Sequence, residues 1–204
     1  MCKERAVEGH TPEKYRDYLR LLASQQLAAR FRGKVDPSGV VQETLMQAHQ
    51  EIERGRDVPS GQRLAWLRRI LANNLADEVR RFTADKRNVG RELSVQQAIE
   101  QSSHQLEVWL ARDRSPGSVV ERDELVLQLA AVLTKLPDAQ REAIIRHYWF
   151  GRTVAEIAQE FDRSRDAVAG LIKRGLRQLR LEMADSAPGS SGGQRGSEPE
   201  ADVE

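Results

Sequence analysis

An all-α fold is predicted, made of two small helical domains joined by a flexible linker and followed by a disordered C-terminal tail. Three observations carry that expectation. Apolar residues recur at three- and four-residue spacing across residues 13–92 and again across 121–182. Between these blocks, residues 93–120 lose the periodicity and collect Ser102, Ser103, Ser115, Pro116 and Gly117. From about residue 183 to 204 the composition falls to Gly, Ser, Pro and acid, which is too poor in apolar surface to order itself. A chain of 204 residues accommodates two domains of this size.

The first helix carries Tyr15, Tyr18, Leu19, Leu22, Leu27 and Phe31 on one stripe, and Gly33 closes it. Asp36 is placed to cap the second helix, with Pro37 at its first position, where a missing N–H costs nothing. Val40, Val41, Leu45, Ala48 and Ile52 form its apolar stripe. Residues 54–61 read as a loop from their Gly and Pro content. A long third helix follows, with Leu64, Leu67, Ile70, Leu71, Leu75, Val79 and Phe82 on one face. Its other face carries Arg63, Arg68, Arg69, Asn73, Arg80 and Arg81. Trp66 belongs with the core by its Leu- and Ile-rich surroundings, the other reading being a wedge into a nucleic-acid strand. Within 93–120 only a short helix around residues 106–110 is expected.

The second block opens near Glu121. Leu125, Leu129, Val132, Leu133 and Leu136 form a stripe that Pro137 stops. Asp138 is placed to cap the next helix, which carries Ala143, Ile144, Ile145, Tyr148 and Trp149 and ends at Gly151. Thr153 and Glu156 have capping-box spacing ahead of Val154, Ile157, Ala158 and Phe161. Residues 162–164 make a short turn, with Ser164 placed to cap a final helix. That helix turns Val168, Leu171, Ile172, Leu176 and Leu179 inward and keeps Arg165, Lys173, Arg174, Arg177 and Arg180 outward or flanking. Two short amphipathic helices, a tight turn and a basic second helix have helix-turn-helix form. An ordinary helical hairpin with a charged face would give the same pattern.

Charge distribution bears on that choice. The formal net charge is only +1, but residues 163–181 hold six Lys/Arg against one acid, and residues 13–92 hold 16 against 11. Residues 182–204 reverse the sign, with six acids against one Arg. Two basic segments in a near-neutral chain are the footprint of a nucleic-acid binder. The single cysteine, Cys2, leaves no intramolecular disulfide or multi-cysteine metal site. The four histidines have no ligand spacing, so no metal and no cofactor is expected. Asp77 and Glu78 point to different sides of a helix, Cys2 has no evident His-Asp partner, and no Gly-rich phosphate loop is present. No catalytic residue is expected, and the protein is not read as an enzyme. No secretory signal or membrane-length apolar run is found, which fits a cytoplasmic protein without membrane insertion.

Several runs resemble one family. Residues 35–45 (VDPSGVVQETL) resemble region 2.2 of bacterial RNA polymerase sigma factors. Residues 65–77 (AWLRRILANNLAD) are similar to regions 2.3–2.4. Leu136 to Glu142 resembles the start of region 4, and Thr153 to Leu179 is similar to the rest of it. The order and separation of these pieces resemble the compact extracytoplasmic-function subfamily of the sigma-70 family.

The resemblance implies a sigma factor. Such a protein directs core RNA polymerase to promoters, recognises −10 and −35 elements and aids strand opening. Its implied partners are the β′ clamp helices and β flap of the polymerase and promoter DNA, and it leaves open an anti-sigma factor. Carried over by position, Asp36, Val40, Gln42, Glu43 and Thr44 would face the polymerase. Arg54, Arg56, Asn73, Asn74, Asp77, Arg80 and Arg81 would lie along the −10 DNA. Arg165, Asp166, Ala167, Val168, Gly170, Lys173, Arg174 and Arg177 would lie near the −35 duplex. Gly39 stands where the family often has an acid. The rival expectation is a helix-turn-helix regulator that binds duplex DNA without being a polymerase subunit. A third, a helical adaptor that binds only protein, would show no salt-dependent DNA affinity.

Overall fold

A computed structural model describes residues 12–26, 35–81, 89–113 and 117–185. After a short 3-10 turn, the described chain forms α1 (Arg16–Gln26), α2 (Pro37–Glu53), α3 (Ser60–Arg81), α4 (Val89–Asp113), α5 (Val119–Lys135), α6 (Asp138–Ile144), a π turn (Ile145–Trp149), α7 (Val154–Glu160) and α8 (Arg165–Asp185). The all-α expectation holds among the described residues. Leu27, Phe31, Gly33, Phe82 and the acidic tail from Ser186 lie outside them.

The N-terminal helices follow the apolar stripes. Tyr15, Tyr18, Leu19 and Leu22 are buried, as are Val40, Val41, Leu45 and Ala48 of α2. Asp36 caps α2, accepting from the amides of Ser38 (3.0 Å) and Gly39 (3.1 Å). The expected inward position of Ile52 is not observed: it is 40 % exposed, one turn past the last residue of the α2 stripe to be buried. All six described members of the α3 stripe are buried. Trp66 packs half-buried against the core, with the Arg56 guanidinium 5.5 Å from its ring centroid.

The largest departure is in the segment expected as a linker. α4 runs through much of it, and Ile99, Leu106 and Leu110 are buried. The stripe is interrupted by Ser102 and Ser103, which are buried too. Ser103 accepts from the Tyr18 hydroxyl (3.0 Å), and Ser102 accepts from the Gln26 side-chain amide (2.8 Å). Two polar residues at core positions hid the helical period. Tertiary hydrogen bonds satisfy them.

Arg68 completes this polar junction. It donates to Glu100 on α4 (2.9 Å) and to the Tyr18 oxygen on α1 (3.1 Å), so three helices meet at one guanidinium. Burial opposes its charge, but the Tyr18 oxygen and the Glu100 carboxylate more than offset this and raise its pKa. Burial pushes the Tyr18 hydroxyl up, so it stays neutral.

α5 lies across α1, α3 and α4, and one apolar core is continuous from Tyr15 to Met183. Trp109 of α4 stacks on Tyr148 of the π turn, with ring centroids 5.3 Å apart. A smaller core under the helix-turn-helix joins Ala143, Ile157, Ala158, Val168, Leu171 and Ile172. Asp138 does not cap α6. Pro137 holds the cap position without a side-chain hydrogen bond, and Asp138 pairs with Arg141 instead (2.6 Å).

Candidate nucleic-acid interface

The helix-turn-helix is built locally. Thr153 and Glu156 form the expected reciprocal capping box at the start of α7: the Glu156 amide donates to the Thr153 hydroxyl (3.2 Å), and the Thr153 amide donates to the Glu156 carboxylate (2.8 Å). The backbone and side-chain hydrogen bonds from Thr153 hold the Glu156 carboxyl below its ordinary range. The turn is a Schellman motif. The Arg163 amide reaches the Ala158 carbonyl (2.9 Å), the Asp162 amide points to the Gln159 carbonyl (3.4 Å), and Asp162 takes the left-handed conformation at φ 51°. Asp tolerates that region better than most side chains. Ser164 then caps α8, accepting from the Ala167 amide (3.1 Å).

The inner face of α8 seats the helix on its neighbours. Val168, Leu171, Ile172 and Leu179 are buried. Gly175 allows close approach to α6: a Cβ there would stand 2.6 Å from Ile144 Cδ1. Arg165, Asp166, Lys173, Arg174 and Arg177 are exposed on the opposite face, Ala167 and Gly170 lie half-buried at its edge, and Val168 is in the core. Val168 therefore positions the helix and offers no contact surface.

Electrostatics set this face apart. Arg163, Arg165, Lys173, Arg174, Arg177 and Arg180 are all exposed, and none of them forms an ion pair among the described residues. Elsewhere arginines are engaged: Arg56 with Glu51, Arg81 with Glu78, Arg141 with Asp138, Arg146 with Glu160 and Arg152 with Glu156. Cations gathered over residues 163–181, unpaired among the described residues and outnumbering the one acid there, Asp166, suit a polyanionic surface. Arg163 and Arg180 extend the set beyond the positions the family motif assigns, and the excess of six Lys/Arg over one acid in residues 163–181 was the available sequence signal.

The N-terminal positions divide. On α3, Asn73, Asp77 and Arg81 are exposed and Arg80 is half-buried, all on one outer face, with Arg80 paired to Asp77 and Arg81 to Glu78 (2.6 Å). Asn74 turns inward and donates to Thr44 Oγ1 (3.2 Å). Thr44 is buried and donates to the Val40 carbonyl (2.8 Å), so Val40, Thr44 and Asn74 join α2 to α3. Asp36, Gln42 and Glu43 remain exposed, as do Arg54 and Arg56 in the loop after α2. Met46, 48 % exposed, lies one helical turn beyond Gln42 and Glu43. Sequence reading passed over Met46 because it falls off the stripe that packs on α3.

No group of three or more metal-ligating side chains occurs among the described residues, and no described helix is long and apolar enough to cross a membrane. Residues 127–179, which run from within α5 to α8, match the family model for sigma-70, region 4. The matched segment covers about a quarter of the chain and contains α7, the turn and α8 as far as Leu179. It supports a sigma-70 family member with a DNA-binding role in transcription, and region 4 is a non-enzymatic module. A comparison with curated proteins finds no match for the chain.

Proposed function

We propose that the protein is a sigma factor of the extracytoplasmic-function type that directs core RNA polymerase to specific promoters in the cytoplasm. The observation that carries this reading is the unpaired cationic outer face of α8 within a region 4 helix-turn-helix. In the proposed role, Arg165 and Asp166 at the start of α8 reach base edges of the −35 duplex. Lys173, Arg174 and Arg177 meet its phosphates. The outer face of α3, with Asn73, Asp77, Arg80 and Arg81, together with Arg54 and Arg56, lies along the −10 strand. Gln42 and Glu43 of α2, beside the exposed Met46, dock on the β′ clamp helices, and region 4 lies near the β flap. Val40, Thr44 and Asn74 support that surface from within. The function is binding throughout: free energy from promoter and polymerase contacts offsets the unpairing of the −10 strand.

Recovery of core RNA polymerase on the tagged protein, followed by run-off transcription from a pooled promoter library, tests the proposal. Polymerase recovery with new discrete start sites is expected. Gln42→Ala should weaken recovery and leave duplex binding intact. Lys173→Ala should leave recovery intact and reduce the salt dependence of duplex binding by about one phosphate contact. Duplex binding without polymerase recovery would overturn the sigma reading in favour of a helix-turn-helix regulator.

A further inference from the structure

The cations of α8 form no ion pair among the described residues, and the chain itself carries a set of opposite charge shortly beyond. α8 ends at Asp185. Residues 186–197 hold four glycines, four serines and one base, Arg195, and Glu198, Glu200, Asp202 and Glu204 then alternate with uncharged residues. We propose that this acidic segment, residues 198–204, docks on the outer face of α8 and competes with nucleic acid for it. The inference rests on the reading of α8 as a DNA-contacting helix.

Reach and charge both fit one occupant. Lys173 lies 12 residues before the end of α8, about 18 Å back along the helix at 1.5 Å per residue. The 12 residues between α8 and the acidic segment, 186–197, can reach at most about 40 Å, more than that distance. The acidic block is thus within reach of Lys173, Arg174 and Arg177. A short tether that can reach its site holds its ligand at an effective concentration in the millimolar range, enough for a weak ionic contact to be populated. The four carboxylates meet a face bearing Arg165, Lys173, Arg174, Arg177 and Arg180, diluted on its exposed side only by Asp166. Because the contact is ionic and solvent-exposed, added salt weakens it, as salt also weakens DNA binding. The segment thereby sets a threshold. Non-specific duplex must displace it, whereas a promoter bound with polymerase gains enough elsewhere to do so.

The test compares the full-length chain with the full-length variant Glu198→Gln/Glu200→Gln/Asp202→Asn/Glu204→Gln. The first readout needs no DNA: amide chemical shifts of the two proteins at low salt. Differences at Arg165, Lys173, Arg174 and Arg177 are expected, and unchanged α8 resonances would overturn the proposal. The second readout is affinity for a short random-sequence duplex. The variant should bind about threefold tighter or better at about 50 mM salt, with the two affinities converging by about 300 mM. Equal affinities at low salt would also overturn it. If neither protein binds duplex, the DNA reading of α8 fails, and the chemical shifts still decide whether the segment docks.

Discussion

Gly170 and Gly175 lie five residues apart on α8, and they should answer substitution by alanine with opposite signs. A Cβ at Gly175 would stand 2.6 Å from Ile144 Cδ1 and 3.3 Å from Gln140 Cβ. Ile144 is fully buried, so its terminal methyl can yield only by repacking the contact between α6 and α8. Overpacking of this kind costs about 1–3 kcal/mol. Replacing glycine by alanine inside a helix returns about 1 kcal/mol. Gly175→Ala should therefore lose about 1 kcal/mol net, which lowers Tm by about 2–4 °C in a chain of this size. At Gly170 the nearest obstacle is Arg174 Nη1 at 3.2 Å, the tip of an exposed side chain that can swing into solvent. Gly170→Ala should keep most of the helix gain and raise Tm by about 2–4 °C. Thermal unfolding followed by circular dichroism at neutral pH decides it. Equal shifts of the same sign would refute the reasoning, because the helix term is shared and only the contact differs.

Four further outcomes are expected. Tyr18→Phe removes the hydroxyl that bridges Ser103 and Arg68 at the junction of α1, α3 and α4, and should cost about 1–2 kcal/mol in denaturant unfolding; a midpoint equal to wild type would show that the bridge adds nothing. Thr153→Ala removes the α7 cap at about 1 kcal/mol, and Glu156→Gln should flatten the acid limb of the stability curve. The hydrogen bonds from Thr153 lower the folded pKa of Glu156, so its contribution is whole above its ordinary value of 4.5 and is lost as pH falls through the folded value; an unchanged acid limb in the Gln variant would contradict this. The first turn of α3 also touches the start of α5: a Cβ at Gly61 would lie 3.9 Å from Val119 Cβ, within the span of a disulfide. In a Cys2→Ser background, Gly61→Cys with Val119→Cys should close an intramolecular crosslink on mild oxidation, and persistence of two free thiols would mean that this seam is open in solution.

The helices whose signals are local were legible before any tertiary contact was known. Stripes of apolar residues placed α1, α2, α3, α5 and α8, while Asp36, Thr153 and Ser164 marked helix starts through side chains that bond to their own backbone neighbours. The basic face of α8 was legible for the same reason: residues three and four apart share a helix face whatever the surrounding fold. Tertiary structure decided the rest. Ser102 and Ser103 read as linker residues because a buried serine is recognisable only once its partner is known, and Gln26 and Tyr18 lie far away in the sequence. Arg68 was expected on the outer face of α3 and Asn74 along the −10 DNA, yet Arg68 ties three helices together and Asn74 joins α3 to Thr44. A polar side chain declares its sequence neighbours through helical spacing. Whether it faces water, a ligand or another helix depends on contacts that form only when distant segments meet.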